Sequence, residues 1–229
     1  MGQALRRRVE PELLDSLPHD DAAAMMSRQD LARINKVMGA QARMAERLRA
    51  LPQPRTLVDL GSGDGRFLLG VARRLDWYKV KLVVLDRQDI VSVKTRRAFN
   101  AIGWQCEVVT GDIFETLPRI ESGAVITANL FLHHFDDPAL EKLLRLAAEK
   151  CAAFIACEPR RAPSALFASK LVGLIGANAV TRHDAVVSVR AGFAGQELSQ
   201  AWPEGPWRKE EDWCFPFSHC FSAVRQTPS

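Results

Sequence analysis

Nowhere does this 229-residue chain offer the roughly 18 uninterrupted apolar residues that a membrane span requires. Its longest stretch free of Asp, Glu, Lys and Arg, Ser122 to Phe135, contains Asn129, His133 and His134, so no membrane partner is expected. Cysteine is sparse: the five, at 106, 151, 157, 214 and 220, form no C-x-x-C pair and are odd in number, which argues against a disulfide scaffold and for a reducing, cytoplasmic compartment. His219 and Cys214 lack the further ligands a structural site needs, and no metal is expected. Charge of one sign is also missing: 31 basic and 27 acidic residues leave only +4, too weak a field to imply nucleic acid. No secretory leader is expected, because Arg6-Arg7-Arg8 precede Glu10 and Pro11 instead of an apolar run.

What is present is an ordinary globular composition, 47% hydrophobic and 25% charged, with a change of rhythm along it. Ser27 to Leu51 reads as one amphipathic helix capped by Ser27 and stopped by Pro52 and Pro54. From Thr56 short apolar runs alternate with helical stretches. Strands are expected at Thr56–Leu60, Val80–Leu85, Gln105–Val109, Ala124–Asn129 and Ala152–Cys157, and helices near Arg66–Leu75, Ile90–Ile102 and Pro138–Lys150. This alternation implies an α/β fold, a mostly parallel Rossmann-like sheet with helices on both faces. The last two strands, Trp207–Cys214 and Ser218–Val224, are separated only by Phe215-Pro216-Phe217 and must form an antiparallel hairpin. The expected organisation is an N-terminal helical cap over 1–52 and one domain over 53–229 with a helical lid insert near 162–184, where Thr181 to Asp184 forms a polar corner. The Phe and Leu residues of Ala165 to Ile175 read as core or pocket wall.

The most informative segment is Val58-Asp59-Leu60-Gly61-Ser62-Gly63-Asp64-Gly65-Arg66, a strand entering a glycine-rich turn that opens a helix. A dinucleotide fingerprint would have Gly or Ala at position 66, where Arg66 stands, and no Lys-Ser or Lys-Thr completes a phosphate loop. Asp59 and Asp64 would repel a pyrophosphate and attract a ligand bearing an ammonium and a sulfonium. Asp86, 21 residues beyond Gly65, stands near the spacing of a carboxylate that accepts ribose hydroxyls, with Arg87 beside it. Asp112, after the third strand, is placed to accept from an adenine amino group, with Ile113 packing on the ring.

These residues resemble the class I S-adenosylmethionine-dependent methyltransferases, specifically the small-molecule branch, over most of Thr56 to Val224. The resemblance implies a seven-stranded sheet and S-adenosyl-L-methionine as cofactor. It implies that Asp59, Gly61 and Gly63 surround the cofactor's amino acid part, Asp86 holds its ribose, and Asp112 and Ile113 its adenine, with Ser62, Arg87 and Asn129 also among the cofactor-binding residues. Asn129 to His134 look like the family's segment after the fourth strand, beside cofactor and methyl group.

Methyl transfer from a sulfonium needs mainly positioning of acceptor against methyl. A hydroxyl acceptor also needs a base, for which His133, His134, His183 beside Asp184, and Glu158 at the end of the fifth strand are the candidates, His134 being weakly favoured over His133. The expected function is methylation of a small molecule, on an aromatic or polyketide-like hydroxyl. A nucleic-acid methyltransferase fits less well, because Asn129 is followed by Leu130-Phe131 instead of the proline and aromatic residue that clamp a flipped base. A catalytically silent cofactor-binding partner subunit is the other alternative. The oligomeric state is not legible.

Overall fold

The computed structural model describes residues 5–226. Helices α1 (Leu13–Ser16), α2 (Ala22–Val37) and α3 (Ala40–Arg49) precede an alternating series: β1 (Thr56–Leu60), α4 (Arg66–Ala72), β2 (Lys81–Asp86), α5 (Val93–Ala101), β3 (Gln105–Thr110), α6 (Ile113–Thr116), β4 (Ala124–Asn129), α7 (Asp137–Lys150) and β5 (Cys151–Pro159). Then follow α8 (Pro163–Lys170), α9 (Ala179–Ala191), α10 (Glu197–Ala201), β6 (Trp207–Cys214) and β7 (Ser218–Arg225). The seven strands form one sheet in the order β3-β2-β1-β4-β5-β7-β6. β1 to β5 pair in parallel, whereas β7 runs antiparallel to both β5 and β6. The expected Rossmann-like sheet with its terminal hairpin is therefore the observed one.

Strand alternation builds two cores. Val58, Leu60, Val83, Leu85, Ile126 and Phe154 face a cluster that includes Leu140, Leu143 and Leu144 of α7 and Leu198 of α10. Their sequence neighbours Leu57, Leu82, Val84, Val125 and Ile155 face Met44 and Leu48 of α3, Leu68 and Val71 of α4 and Phe99 of α5. Both faces are thus covered, as a parallel sheet demands. The strand order reverses between β1 and β4, which opens a crevice at their carboxyl ends, the place where open α/β sheets bind ligands.

Three local expectations fail for identifiable reasons. The single helix expected over Ser27–Leu51 is two helices, because Gly39 adopts φ +65° between α2 and α3. Its start lies earlier, where the Asp21 carboxylate accepts from the N–H groups of Ala23 and Ala24, and Ser27 is buried inside the helix. Thr181 to Asp184 is not a corner but the start of α9, capped by the Asn178 side chain on the Thr181 N–H. The apolar residues of 165–175 also divide: Ala165 is buried, but Phe167, Leu171, Leu174 and Ile175 project into solvent.

Candidate active site

The glycine loop lies at the carboxyl end of β1, and its three glycines take left-handed φ values of +64° (Gly61), +54° (Gly63) and +72° (Gly65). At Gly61 the side chain is excluded by contact as well: a Cβ there would lie 2.1 Å from the Phe131 ring. The turn is pinned to the next strand, since the Gly61 N–H donates to Leu85 O (2.9 Å) and the Gly63 N–H to Asp86 Oδ2 (2.8 Å). Asp86 Oδ1 accepts from the Gln88 N–H (3.1 Å), so this carboxylate is held rigidly by both oxygens. Arg87 beside it is exposed.

Asp59 ends up 3% exposed, and the Thr127 hydroxyl donates to its Oδ1 at 2.6 Å. Burial pushes this carboxyl up to about 6; the Thr127 bond opposes that rise and the nearby Asp86 charge adds to it. The Ser62 hydroxyl donates to the Asp59 carbonyl. Asp64 behaves differently from the sequence reading: Arg66 pairs with it, Nε to Oδ2 at 2.6 Å, so the negative character of the site resides in Asp59 and Asp86.

At the neighbouring strand ends, Asp112 caps α6 by accepting from the Phe114 N–H (2.8 Å), while Ile113 packs into the core beneath. Asn129, last in β4, has a buried Oδ1 with no partner among the described residues. An orphaned acceptor of that kind is costly unless a ligand satisfies it, and an ammonium donor would. With left-handed glycines that let backbone approach a ligand, and anionic Asp59 and Asp86, the residues fit a cationic nucleoside cofactor. Phe131, Phe135 and Phe114 add an aromatic wall, edge to face at 5.1 and 5.7 Å, that the sequence reading missed.

After β4 the chain makes a tight turn that starts with Leu130 at φ +52°. Glu158, buried at the end of β5, accepts from the N–H groups of Phe131 (3.0 Å), Leu132 (2.9 Å) and His133 (3.4 Å) and from His133 Nδ1 (2.7 Å). The carboxylate named as a candidate base also anchors this turn. His133 Nε2 lies 3.2 Å from Glu12 Oε1, a residue 121 positions away whose partnership nothing in the local sequence signals. Burial favours the neutral ring, but the hydrogen bonds and charges of Glu12 and Glu158 outweigh it and push His133 up to about 9, which makes it an imidazolium at neutral pH and a poor base.

His134 stacks against it, rings 4.3 Å apart, and keeps its own carboxylate, Nδ1 to Asp15 Oδ2 at 3.3 Å, with 25% of its side chain exposed. His183 is 49% exposed on α9, its Nδ1 2.9 Å from Asp184 Oδ1. Asp184 in turn accepts from the Leu13 and Leu14 N–H groups. Residues 5–15 therefore form a strap across α9 and the turn after β4. It is further held by Arg7 donating to Ala191 O and Phe135 O, and by the Arg8 N–H donating to Arg190 O.

Residues 57–152 match a family model described as a methyltransferase domain. No curated protein matches the chain. Among solved structures, similarity extends to mitomycin 7-O-methyltransferase, 21% identical over 93% of this chain and 60% of that one, with a TM-score of 0.62. A protein described as an O-methyltransferase of Nostoc punctiforme is 15% identical over 96% of this chain and 64% of that one, TM-score 0.59. The plantazolicin methyltransferase BpumL, solved in complex with SAH, is 12% identical over 90% and 92%, TM-score 0.62. The chain thus spans about two thirds or less of the first two and nearly all of the third. These likenesses concern the fold.

Proposed function

We propose that this chain, which matches a methyltransferase-domain model over residues 57–152, is a class I S-adenosylmethionine-dependent methyltransferase that methylates a hydroxyl of a small aromatic or polyketide-like molecule. The observation that carries this reading is the alignment of Asp59, the Gly61 to Gly65 loop, Asp86, Asp112 and Asn129 along adjoining strand ends, with the Asn129 acceptor left unpaired. In this reading Gly61, Ser62 and Gly63 line the amino acid part of the cofactor, and Asp59 and Asn129 receive its ammonium. Asp86, flanked by Arg87, accepts ribose hydroxyls, and Asp112 accepts from the adenine amino group over Ile113. S-adenosylmethionine supplies an activated methyl group on sulfur.

In the same reading the N-terminal helical segment expected over 1–52, described here from residue 5, caps the domain with its strap and α2 while α3 packs into the core, and the helical insert near 162–184 serves as a lid. His134, oriented by Asp15, takes the acceptor's proton, because His133 is committed to its two carboxylates as a cation. His183 remains the reserve base. The O-methyltransferase names of two structural neighbours support oxygen as the acceptor atom. Calorimetry with S-adenosylhomocysteine should give a micromolar-scale dissociation constant, about −8 kcal/mol. Incubation with S-adenosylmethionine and a panel of phenols should yield a methyl ether identified by mass spectrometry. Binding without transfer to any acceptor would leave a silent cofactor-binding module, and no binding would remove the reading altogether.

A further inference from the structure

Between Glu158 and Asp184 the chain contains no Asp or Glu, and its fixed charges there are Arg160, Arg161, Lys170 and Arg182. Two of these are engaged: Arg161 is buried against Glu197 and Gly192 O, and Arg160 lies over the Trp213 ring at 4.0 Å. Lys170 and Arg182 are exposed and make no ion pair among the described residues. The same segment exposes Phe167, Leu171, Leu174 and Ile175, with Leu174 82% accessible. Positions 167, 171 and 174 follow helical spacing from α8 into the 3-10 turn of Val172–Ile175. The opposite side of α8 is fixed to the protein, where Ala162 and Ala165 pack with Val189, Leu166 and Phe217. Arg182 joins the apolar tip directly, since its Cδ would sit 2.9 Å from a Cβ placed on Gly173.

We propose that this tip, Phe167, Leu171, Leu174 and Ile175 flanked by Lys170 and Arg182, docks the protein onto the surface of an anionic lipid bilayer. An apolar ridge edged by cations, with acids excluded over the whole segment, matches the acyl boundary and the negative headgroup layer together. A second copy of this chain is a poorer occupant, because a two-fold contact would bring the Lys170 and Arg182 charges of each copy against like charges. Lying on a bilayer needs no spanning helix, and among the described residues no helix is long and apolar enough to cross one.

The full chain should co-sediment with vesicles of phosphatidylglycerol and phosphatidylcholine, less with phosphatidylcholine alone, and should be partly released at about 0.5 M salt. Leu174→Glu combined with Ile175→Glu should lower the partition coefficient by about tenfold or more. Lys170→Gln with Arg182→Gln should lower it by about fivefold per charge. Circular dichroism should be unchanged in both variants, and Leu174→Glu alone, at the most exposed position of the tip, should lower vesicle binding without lowering the melting temperature. Failure of the unaltered chain to bind anionic vesicles, or equal binding by the Leu174→Glu, Ile175→Glu variant, overturns the proposal. So does a concentration-dependent dimer in light scattering that this variant abolishes while vesicles capture nothing.

Discussion

In the proposed function Asp59 is a buried side chain that trades stability against cofactor binding. Its carboxyl, pushed up to about 6 from an ordinary value near 3.8, binds a proton more readily in the folded chain than in the unfolded one. Stability must therefore fall as pH rises between about 4 and 6, and at neutral pH the folded protein carries a buried charge costing up to about 3 kcal/mol. Asp59→Asn keeps an acceptor for the Thr127 hydroxyl and removes that charge. The variant should melt higher than the parent near neutrality, with the difference vanishing near pH 4 by calorimetry, and should bind S-adenosylmethionine more weakly. A lower melting temperature would show that the charge is already compensated. At the acceptor side, His134→Ala should lower turnover of a phenol by ~10² to 10⁴-fold with cofactor affinity nearly constant. Single-turnover rates with each of the His133, His134 and His183 alanine variants test this, and an undiminished rate for His134→Ala removes it as the base.

The turn from Leu130 to Phe135 is the element on which the site depends. A leucine at φ +52° costs about 1–2 kcal/mol, and the turn keeps that geometry because the Leu130 N–H bonds Cys157 O and the next three N–H groups converge on Glu158. Glu158→Gln exchanges one acceptor oxygen for an amide donor and leaves His133 with only Glu12. Breaking a buried pair in this way costs about 3–5 kcal/mol. The variant should melt lower, exchange the amides of 131–133 faster, and lose kcat more than cofactor affinity. Unchanged exchange at those amides would mean that other contacts hold the turn.

Over the whole molecule, the strap of residues 5–15 joins α9, the turn after β4 and the first turn of α7, where Arg7 pairs with Asp137. Its central clasp, Glu12 to His133, depends on pH. The raised His133 value means that its contribution is complete below about 6.5 and disappears as pH climbs through about 9, a loss of up to about 3 kcal/mol. Glu12, where the His133 and His134 contacts outweigh burial and hold the carboxyl below its usual range, adds stability above about 4.5 that is lost in acid. The melting temperature should therefore decline from near-neutral toward alkaline pH, with proteolysis of the strap accelerating in step. His133→Gln should flatten that slope. A slope identical in the variant would assign the alkaline loss to other groups.

Periods of two and 3.6 residues and the turn chemistry of glycine are properties of short segments, so β1 (Thr56–Leu60), β4 (Ala124–Asn129), the alternating order and the terminal hairpin were legible from the residues themselves. The same holds for the glycine loop and for Asp86, whose position relative to β1 is set by one strand-helix-strand unit of nearly constant length. Folding alone decided which histidine is buried between two carboxylates, since Glu12 reaches His133 across 121 residues and Ser188 and Asp184 anchor the strap from still farther along the chain. It also decided that Arg66 neutralises Asp64, that Phe131 covers Gly61, and that Phe167, Leu171, Leu174 and Ile175 stay outside the core. Protonation, burial and exposure depend on what the rest of the chain brings to a residue, and no local spacing carries that information.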